Sequence, residues 1–207
     1  MATRNQLNPP PLRKITDFKS KLTGGGARAN LFEVELSFPN AVSVDGLNDI
    51  LNKARFLVKA ANLPASNVAP IEVPFRGRVL KIAGDRTFDV WTITVINDTD
   101  FKWRSFFERW VNYITKASDG SGTINPSEYM ADMNVAQLSR GPGVAPNAIN
   151  TNNIQTLRKY IVHGVFPTAV SQIDLNYNNE NEIEEFTVDL QVQWWEAKTG
   201  TNATDII

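Results

Sequence analysis

The chain has 207 residues, of which 42% are hydrophobic and 21% charged, as expected for one soluble globular domain with appendages. It has no cysteine and a single histidine, His163, which excludes disulfides, thiolate chemistry and metal sites built from several histidines. The formal net charge of −1 argues against a protein whose main function is to grip nucleic-acid phosphates.

Residues 1–29 form a basic N-terminal arm, with six basic residues and one acidic residue, a net charge of +5. Three prolines at 9–11 favour an extended stretch, and three glycines at 24–26 favour a flexible joint. The arm lacks the apolar segment of a signal peptide, so we expect synthesis and folding in a cytoplasm. Three interpretations stay open: a solvated flexible leader, an arm that docks on an acidic surface of its own or a neighbouring chain, and a DNA-binding segment.

The folded domain is expected from residue 30 to residue 196, and its first half follows the period of two that is typical of β-strands. Alternating apolar residues predict strands at 32–38 and 56–60. Residues 71–83 predict a hairpin bent around Arg76 and Gly77, with Pro74 placing its first arm at a sheet edge. Residues 87–97 are rich in β-branched and aromatic residues, so we expect a strand buried on both faces.

One segment, residues 101–117, has the spacing of an amphipathic helix. We expect Asp98, Thr99 or Asp100 to cap its start and Gly120 to end it. Its apolar face contains Trp103, Phe106, Phe107, Trp110, Val111, Ile114 and Ala117. Such a stripe could form a ligand box, but a helix that lies on a sheet is the simpler interpretation.

The second half of the domain predicts further strands at 129–138, 156–166 and 182–195. A polar insertion of Pro, Asn, Gly and Ala at 140–154 reads as a surface loop, and residues 197–207 as a polar tail. In the last strand we expect Phe186, Val188, Leu190, Val192 and Trp194 to share the buried face. The fold class is therefore α+β and mainly antiparallel β, a sandwich or small barrel with one flanking amphipathic helix.

Candidates for catalysis or metal binding are weak. His163 lies within a predicted strand, where a hydrogen-bonded structural histidine is the better interpretation. Asp85 and Asp89 could mimic paired catalytic carboxylates, but an ion pair with Arg86 is the simpler alternative. The spacing of Asp174, Asn176, Asn178 and Glu185 matches the oxygen ligands of a calcium loop. The sixth position of that loop is Asn rather than Gly and its flanks look like strands, so we predict no catalytic, cofactor or metal site.

Four sequence blocks carry a resemblance to a known family. They are NLFEVELSF at 30–38, KAANLPAS at 59–66, AGDRTFDVWTITVINDTD at 83–100 and GVFPTAVSQIDLNYNNENEIEEFTVDLQVQWWE at 164–196. In wording, order and spacing these blocks resemble the tail tube proteins of T-even-like contractile-tailed bacteriophages. The arm at 1–29, the insertion at 140–154 and a longer loop at 40–54 are departures from that pattern.

The resemblance implies a structural virion protein and not an enzyme. Subunits of this kind form rings, expected to be hexameric, which stack into a tail tube inside a contractile sheath. The expected partners are other copies of this chain, the tail sheath protein, the baseplate and tail-terminator proteins, and the tape-measure protein and DNA in the lumen. Synthesis is expected in the host cytoplasm, without membrane insertion by this chain.

Within this framework two surfaces are predicted. The hairpin residues Phe75, Arg76, Arg78 and Lys81 are expected to contact other subunits or rings, because a basic tip on apolar arms would leave much apolar surface wet in a monomer. The polar face of the last strand contains Glu185, Thr187, Asp189, Gln191 and Gln193. That face lacks Lys and Arg, so it suits a lumen through which DNA slides, although a solvated outer face is the alternative.

Two rival functions remain at this level. A tube subunit of a bacterial contractile injection or type VI-like system would share the fold. A monomeric ligand-binding β domain would instead show an apolar pocket with converging polar groups.

Overall fold

The computed structural model describes residues 15–22, 26–39, 41–42, 53, 56–140, 156–178, 180 and 182–199. The helices described are α1 (Ile15–Lys21), α2 (Lys102–Ile114) and α3 (Pro126–Tyr129). The strands are β1 (Phe32–Glu35), β2 (Val58–Ala61), β3 (Ser66–Phe75), β4 (Arg78–Phe88), β5 (Trp91–Ile96), β6 (Ala131–Leu138), β7 (Thr156–Val170), β8 (Glu185–Gln191) and β9 (Trp194–Thr199). Nearly all of the predicted insertion and most of the predicted C-terminal tail lie outside the described residues.

The strands pair antiparallel throughout the described chain, and β7 joins two halves of one sheet. One half has the order β1–β6–β7–β9 and the other has the order β7–β8–β5–β2. The first part of β7 pairs with β6 and β9, and its last residues pair with β8. This architecture confirms the predicted antiparallel α+β fold class. Within the described residues the sheet is open, since no strand pairs with the outer edge of β1 or of β2.

The two halves meet at a bend in β7 around Gly164. This glycine has a φ of 62°, in the left-handed region that disfavours residues with a side chain. Val162 and Val165 are both buried, so the inward-facing side of the strand changes phase between them. The carboxylate of Asp132 accepts a hydrogen bond from the Gly164 N–H at 3.0 Å, which holds the bend in place.

The core lies between the sheet and α2, as the helical spacing predicted. Phe38, just after β1, is partly buried and packs against this core, with its ring centroid 4.0 Å from that of Phe106. The buried core residues of β5 and β8 alternate along each strand, and α2 buries four aromatic side chains against them. These buried residues are Trp91, Ile93, Val95, Phe186, Val188, Leu190, Trp103, Phe106, Phe107 and Trp110.

The ends of α2 differ from the prediction. The helix begins after Phe101, which has a φ of 51° and makes no side-chain capping bond, so the prediction of capping by Asp98, Thr99 or Asp100 is wrong. Asp100 instead forms an ion pair with Lys102 at 3.1 Å. The helix ends at Ile114, and Gly120 with φ 71° belongs to a separate turn whose N–H bonds to the Lys116 carbonyl.

Three strand predictions require correction. The expected strand at 87–97 is interrupted at Asp89, whose carboxylate accepts two bonds from the Asn67 amide at 2.8 and 2.9 Å. The outward face of β5 is half-buried and not fully buried, so the two-faced burial is also wrong. Phe56 precedes β2 in a helical turn and is 82% exposed, although the alternation placed it in a strand.

Trp194 is the clearest failure of simple alternation. Phe186 to Val192 follow the predicted buried set, but Trp194 is 46% exposed and Trp195 packs against the core instead. The pairing with β7 is interrupted between β8 and β9, beside the bend at Gly164. Because a bend changes which side of a strand faces inward, the inward set shifts by one residue there.

Candidate assembly surfaces

The β3–β4 hairpin confirms the predicted bend at Arg76 and Gly77. Both turn residues have positive φ, 44° and 79°, which is the geometry of a two-residue turn that matches the twist of the flanking strands. The hairpin is longer than predicted, from Ser66 to Phe88. Within the described part of the chain it forms a two-stranded sheet of its own, so both of its long edges lack a paired strand.

The hairpin is almost entirely exposed, on both of its faces. Monomeric soluble proteins seldom expose contiguous apolar surface of this kind, and two isolated strands are only marginally stable in water. Its large exposed apolar side chains are Val68, Ile71, Val73, Phe75, Val79, Leu80 and Ile82.

The four predicted contact residues lie at or near the tip. Phe75 pairs in register with Arg78, and the Arg76 guanidinium lies 5.4 Å from the centre of the Phe75 ring. Lys81 is set back along β4, where it forms an ion pair with Glu72 at 3.2 Å. The tip therefore combines an exposed aromatic ring with two arginines, a composition common at protein interfaces.

The second predicted surface is the polar face of β8. Glu185, Thr187, Asp189 and Gln191 are half-buried on the side opposite the core, and Gln193 is exposed. The carboxylate of Asp189 accepts a bond from the Thr92 hydroxyl at 2.6 Å, across the β5–β8 pair. The structure thus places Glu185, Thr187, Asp189 and Gln191 along one face of the sheet, whereas Gln193 lies beyond β8, beside the bend at Gly164.

Sequence reasoning missed Lys59, whose ammonium pairs with Glu185 at 2.5 Å. The face therefore includes a cation from β2, which no pattern within the last strand could reveal. The threonines of β5 do carry a sequence signal, since Thr92 and Thr94 alternate with the buried set of their strand. The opposite side of the same sheet is covered by α2, where the Phe107 and Phe186 rings lie 6.3 Å apart.

His163 has the structural role that the sequence favoured. Its Nδ1 lies 3.0 Å from the Asp132 carboxylate, and its ring stacks on Trp194 with centroids 4.0 Å apart. Glu196 lies 3.7 Å from its other ring nitrogen. The histidine thus braces the bend in β7 from the side of β6 and from the side of β9.

The contacts of the four residues with calcium-loop spacing, Asp174, Asn176, Asn178 and Glu185, do not bring their oxygens together as the ligands of one ion. The Asn176 side chain accepts a bond from the Asn178 N–H at 3.0 Å, as in a self-stabilised Asx turn. Glu185 is engaged with Lys59. Among the described residues, no group of three or more histidine, aspartate or glutamate side chains could hold a metal ion.

Hydrogen bonds lower the pKa of two exposed carboxyl groups in the connection from α2 to β6. The pKa of Asp119 is lowered because its carboxylate accepts bonds from Ser121. The pKa of Glu128 is lowered chiefly by Thr123, whose hydroxyl lies 2.8 Å away, and then by Asn125. Both carboxylates lie outside the hairpin and the β8 face, and their hydrogen bonds join residues within this connection.

No helix in the described residues is long and apolar enough to cross a membrane.

Together these features define a class of protein. An open antiparallel sheet, a protruding apolar hairpin and a helix-backed polar face are the properties of a subunit whose edges are completed by other chains. The family defined as phage tail tube protein matches residues 27–198, which includes every strand from β1 to β8 and most of β9. The chain belongs to this family.

Relatives and solved structures agree with this assignment. "Tail tube protein gp19" of Enterobacteria phage T4 is 33% identical over 84% of this chain and 93% of its own length. A chain in the structure of the anti-feeding prophage (AFP) baseplate has a TM-score of 0.57 at 11% identity, covering 86% of this chain and 98% of its own. A chain in the sheath–tube complex of an extracellular contractile injection system has a TM-score of 0.52 at 14% identity, covering 87% and 97%. These two structures share the fold.

The resemblance found in the sequence is therefore confirmed, and the chain is a tube subunit of a phage tail. Its place is the tail of the virion, and its role in that family is structural.

Proposed function

We propose that this chain polymerises as stacked rings, six subunits to a ring, into a tail tube that lies inside a contractile sheath and conducts DNA. The observation that carries the proposal is the open sheet, whose outer edges at β1 and β2 have no paired strand among the described residues. Unpaired edges invite pairing with another chain, and closure into a barrel removes them altogether.

The six-fold ring has separate support. The AFP baseplate structure, whose chain shares this fold, is described as 6-fold symmetrised. Rings of identical subunits that stack head to tail use different surfaces on their two sides, so the assembly can grow into a long tube.

The hairpin serves as a contact between subunits or rings. Phe75 is 66% exposed at its tip, and covering it together with the apolar arms would remove a large apolar surface from water. Arg76 and Arg78 place positive charge at the tip, where acidic groups of a neighbouring chain would fix the register, while Lys81 beside them is paired with Glu72.

The polar face of β8 lines the lumen. Its groups are acidic or neutral, and the neighbouring cation Lys59 is already paired with Glu185. Each free cation would add phosphate affinity and slow DNA, so this composition suits a conduit. On the opposite side of the sheet α2 would then face outward, towards the sheath.

The proposed partners follow from this orientation. The solved sheath–tube complex contains a chain of the same fold, which supports the sheath protein as the outer partner. The AFP baseplate structure supports a baseplate protein at one end of the tube. The tape-measure protein and DNA would occupy the lumen and a terminator protein the other end.

The basic arm at 1–29 would be ordered by assembly, because no residue of α1, the helix described in this arm, is buried in the single chain. Residues 30–196 would form the tube domain.

Negative-stain microscopy of the purified chain tests the polymerisation directly. Rings or tubes at micromolar concentration are expected, and a strictly monomeric protein at every concentration would contradict the proposal. Image reconstruction of such tubes tests the orientation. The carboxylate of Asp189 should lie on the inner wall, and its location under the sheath-facing surface would overturn the lumen assignment.

A further inference from the structure

We propose that α1 of one subunit docks on the described part of the β7–β8 loop, residues 171–178, 180 and 182–184, of a neighbouring copy of the chain within the tube. The inference rests on the proposed polymerisation and gives the basic arm a binding partner. The two surfaces are complementary: α1 is a short basic helix with an apolar stripe, and the loop is acidic with exposed apolar side chains.

The helix α1 carries an apolar stripe that the described chain leaves uncovered. Ile15, Phe18 and Leu22 recur at spacings of three and four, which places them on one side of the helix. Their side chains are 69%, 63% and 44% exposed, and no residue of α1 is buried. A helix of 7 residues has little stability of its own in water, so it gains most when a partner covers the stripe.

The β7–β8 loop offers a matching surface. Leu175, Tyr177 and Ile183 are 80%, 105% and 69% exposed. They line one groove together with Ile173, beside the ion pair of Lys59 and Glu185. The loop also contains four acidic residues and no Lys or Arg, and these are Asp174, Glu180, Glu182 and Glu184.

Charge complementarity favours this pairing over contact with the hairpin. The arm at 1–29 has a net charge of +5, and the loop has four negative charges. Lys19 and Lys21 lie on or beside α1 and can face the acidic rim while the apolar stripe enters the groove. The hairpin tip is basic and would repel the same helix.

The reach of the linker favours a neighbouring copy over the same chain. Arg28 is anchored beside β6, because its carbonyl accepts a bond from the Gln137 side chain at 2.7 Å. The chain between Leu22 and Arg28 spans at most about 20 Å when fully extended, and the helix from Leu22 back to Phe18 adds about 6 Å.

The loop lies further away than that within one chain. Gln137 is paired with Arg158, and the loop begins at 171, after the rest of β7. That distance is about 43 Å along a straight strand, and a right-angled bend at Gly164 would still leave about 30 Å. The exposure of α1 in the single chain agrees, since the helix does not cover its own loop.

The absence of native cysteine makes the contact directly measurable. One population carries Phe18→Cys and a second carries Tyr177→Cys, and the two are mixed, assembled without sheath and mildly oxidised. Disulfide-linked dimers between the two populations are expected. A matched control replaces the second population with Ile124→Cys, at a residue that is 96% exposed and lies outside the loop. That control should give few dimers.

Three results would overturn the docking. The first is equal cross-linking of position 18 to positions 177 and 124. The second is a double variant, Phe18→Cys with Tyr177→Cys, that forms its disulfide only within one chain, and the third is a lack of cross-linking in tubes that are visible by microscopy. If the unmodified chain forms no rings or tubes, the proposed polymerisation fails as well. Tubes that form with a reactive, unlinked cysteine at position 18 would refute only the docking.

A charge swap keeps the inference testable where the cysteine variants assemble poorly. Lys19→Glu with Lys21→Glu should lower the salt concentration at which tubes dissociate, and Glu180→Lys with Glu182→Lys should do the same. The variant with all four substitutions should dissociate at the same salt concentration as the unmodified tube. Failure of this variant to do so would contradict the pairing.

Discussion

At the scale of single residues, Gly164 decides how the two halves of the sheet are joined. Its φ of 62° is in the left-handed region, and a Cβ added there would lie 2.6 Å from Cγ of Gln193. A side chain at position 164 would therefore strain the backbone of β7, the strand that both halves share, and would clash with Gln193. The same bend is held by Asp132 through its bond to the Gly164 N–H.

Gly164→Ala should therefore destabilise the free subunit by roughly 1–3 kcal/mol, and by more where Gln193 cannot move aside. The loss in the free energy of unfolding is measured by urea titration, with the same dependence on urea concentration (the m-value) used for both proteins. Gly120→Ala is the matched control, because Gly120 has φ 71° but nothing within 4 Å of an added Cβ. Equal losses at the two glycines would mean that the clash with Gln193 contributes nothing.

Trp110 combines a packing role with a polar one. Its side chain is fully buried, and its indole N–H donates to the Tyr129 carbonyl at 2.8 Å, which ties α2 to α3. Trp110→Phe keeps most of the apolar volume but leaves that carbonyl without its donor, at a cost of about 1–3 kcal/mol. Trp110→Ala should cost more, about 3–5 kcal/mol, because it also opens a cavity. The same urea titration ranks the two, and equal costs would argue against the packing contribution.

At the scale of elements, the β3–β4 hairpin is the part of the subunit that most needs a partner. Its arms are apolar on the outside, its edges are unpaired within the described chain, and its tip is basic. The hairpin is well specified locally, since Arg76 and Gly77 adopt the positive φ that the tight turn requires. Its long apolar arms therefore match an assembly contact better than they match the stability of one chain.

Phe75→Asp should block polymerisation while the subunit stays folded. The ring is 66% exposed, so its loss should change the free energy of unfolding by no more than about 0.5 kcal/mol. Sedimentation velocity with negative-stain microscopy measures assembly. Ile124→Asp, at a side chain that is 96% exposed and outside the hairpin, should assemble normally. Tubes of normal length from Phe75→Asp would refute the hairpin contact.

At the scale of the whole molecule, the sheet half that contains β8 has two unlike sides. The aromatic residues of α2 cover one side, and acidic and hydroxyl groups occupy the other. In the proposed tube of stacked rings, this asymmetry would separate an inner wall from an outer wall. The lumen assignment therefore concerns the orientation of the whole subunit and not the properties of one strand.

Glu185→Lys should leave tubes assembled but slow DNA delivery, because it adds unpaired positive charge beside Lys59 on the proposed inner wall. The matched control is the swap Lys59→Glu with Glu185→Lys, which keeps one ion pair and the net charge of the wall. The swap should deliver DNA at the normal rate, as measured by phage infectivity and by DNA release in vitro. Equal slowing by both variants would contradict the charge explanation, because the swap keeps both an ion pair and the net charge.

Local sequence was sufficient wherever one periodic face is buried within a single element. The three-and-four spacing of Trp103, Phe106 and Trp110 specifies α2, and the turn residues Arg76 and Gly77 specify the hairpin. The four sequence blocks were also sufficient for the family, because they preserve order and spacing over most of the domain. Each of these signals depends on residues close together in the chain.

Tertiary structure alone decided the features that depend on strand pairing between distant residues. The bend at Gly164 moves Trp194 out of the buried set, and pairing through β5 brings Lys59 beside Glu185. The helix α1 within the basic arm was not predicted, since its seven residues lack the length from which a helical period can be recognised. Burial of a residue is set by what lies opposite it, and for a bent, open sheet that partner is chosen by the register between strands and not by the residue's own neighbours.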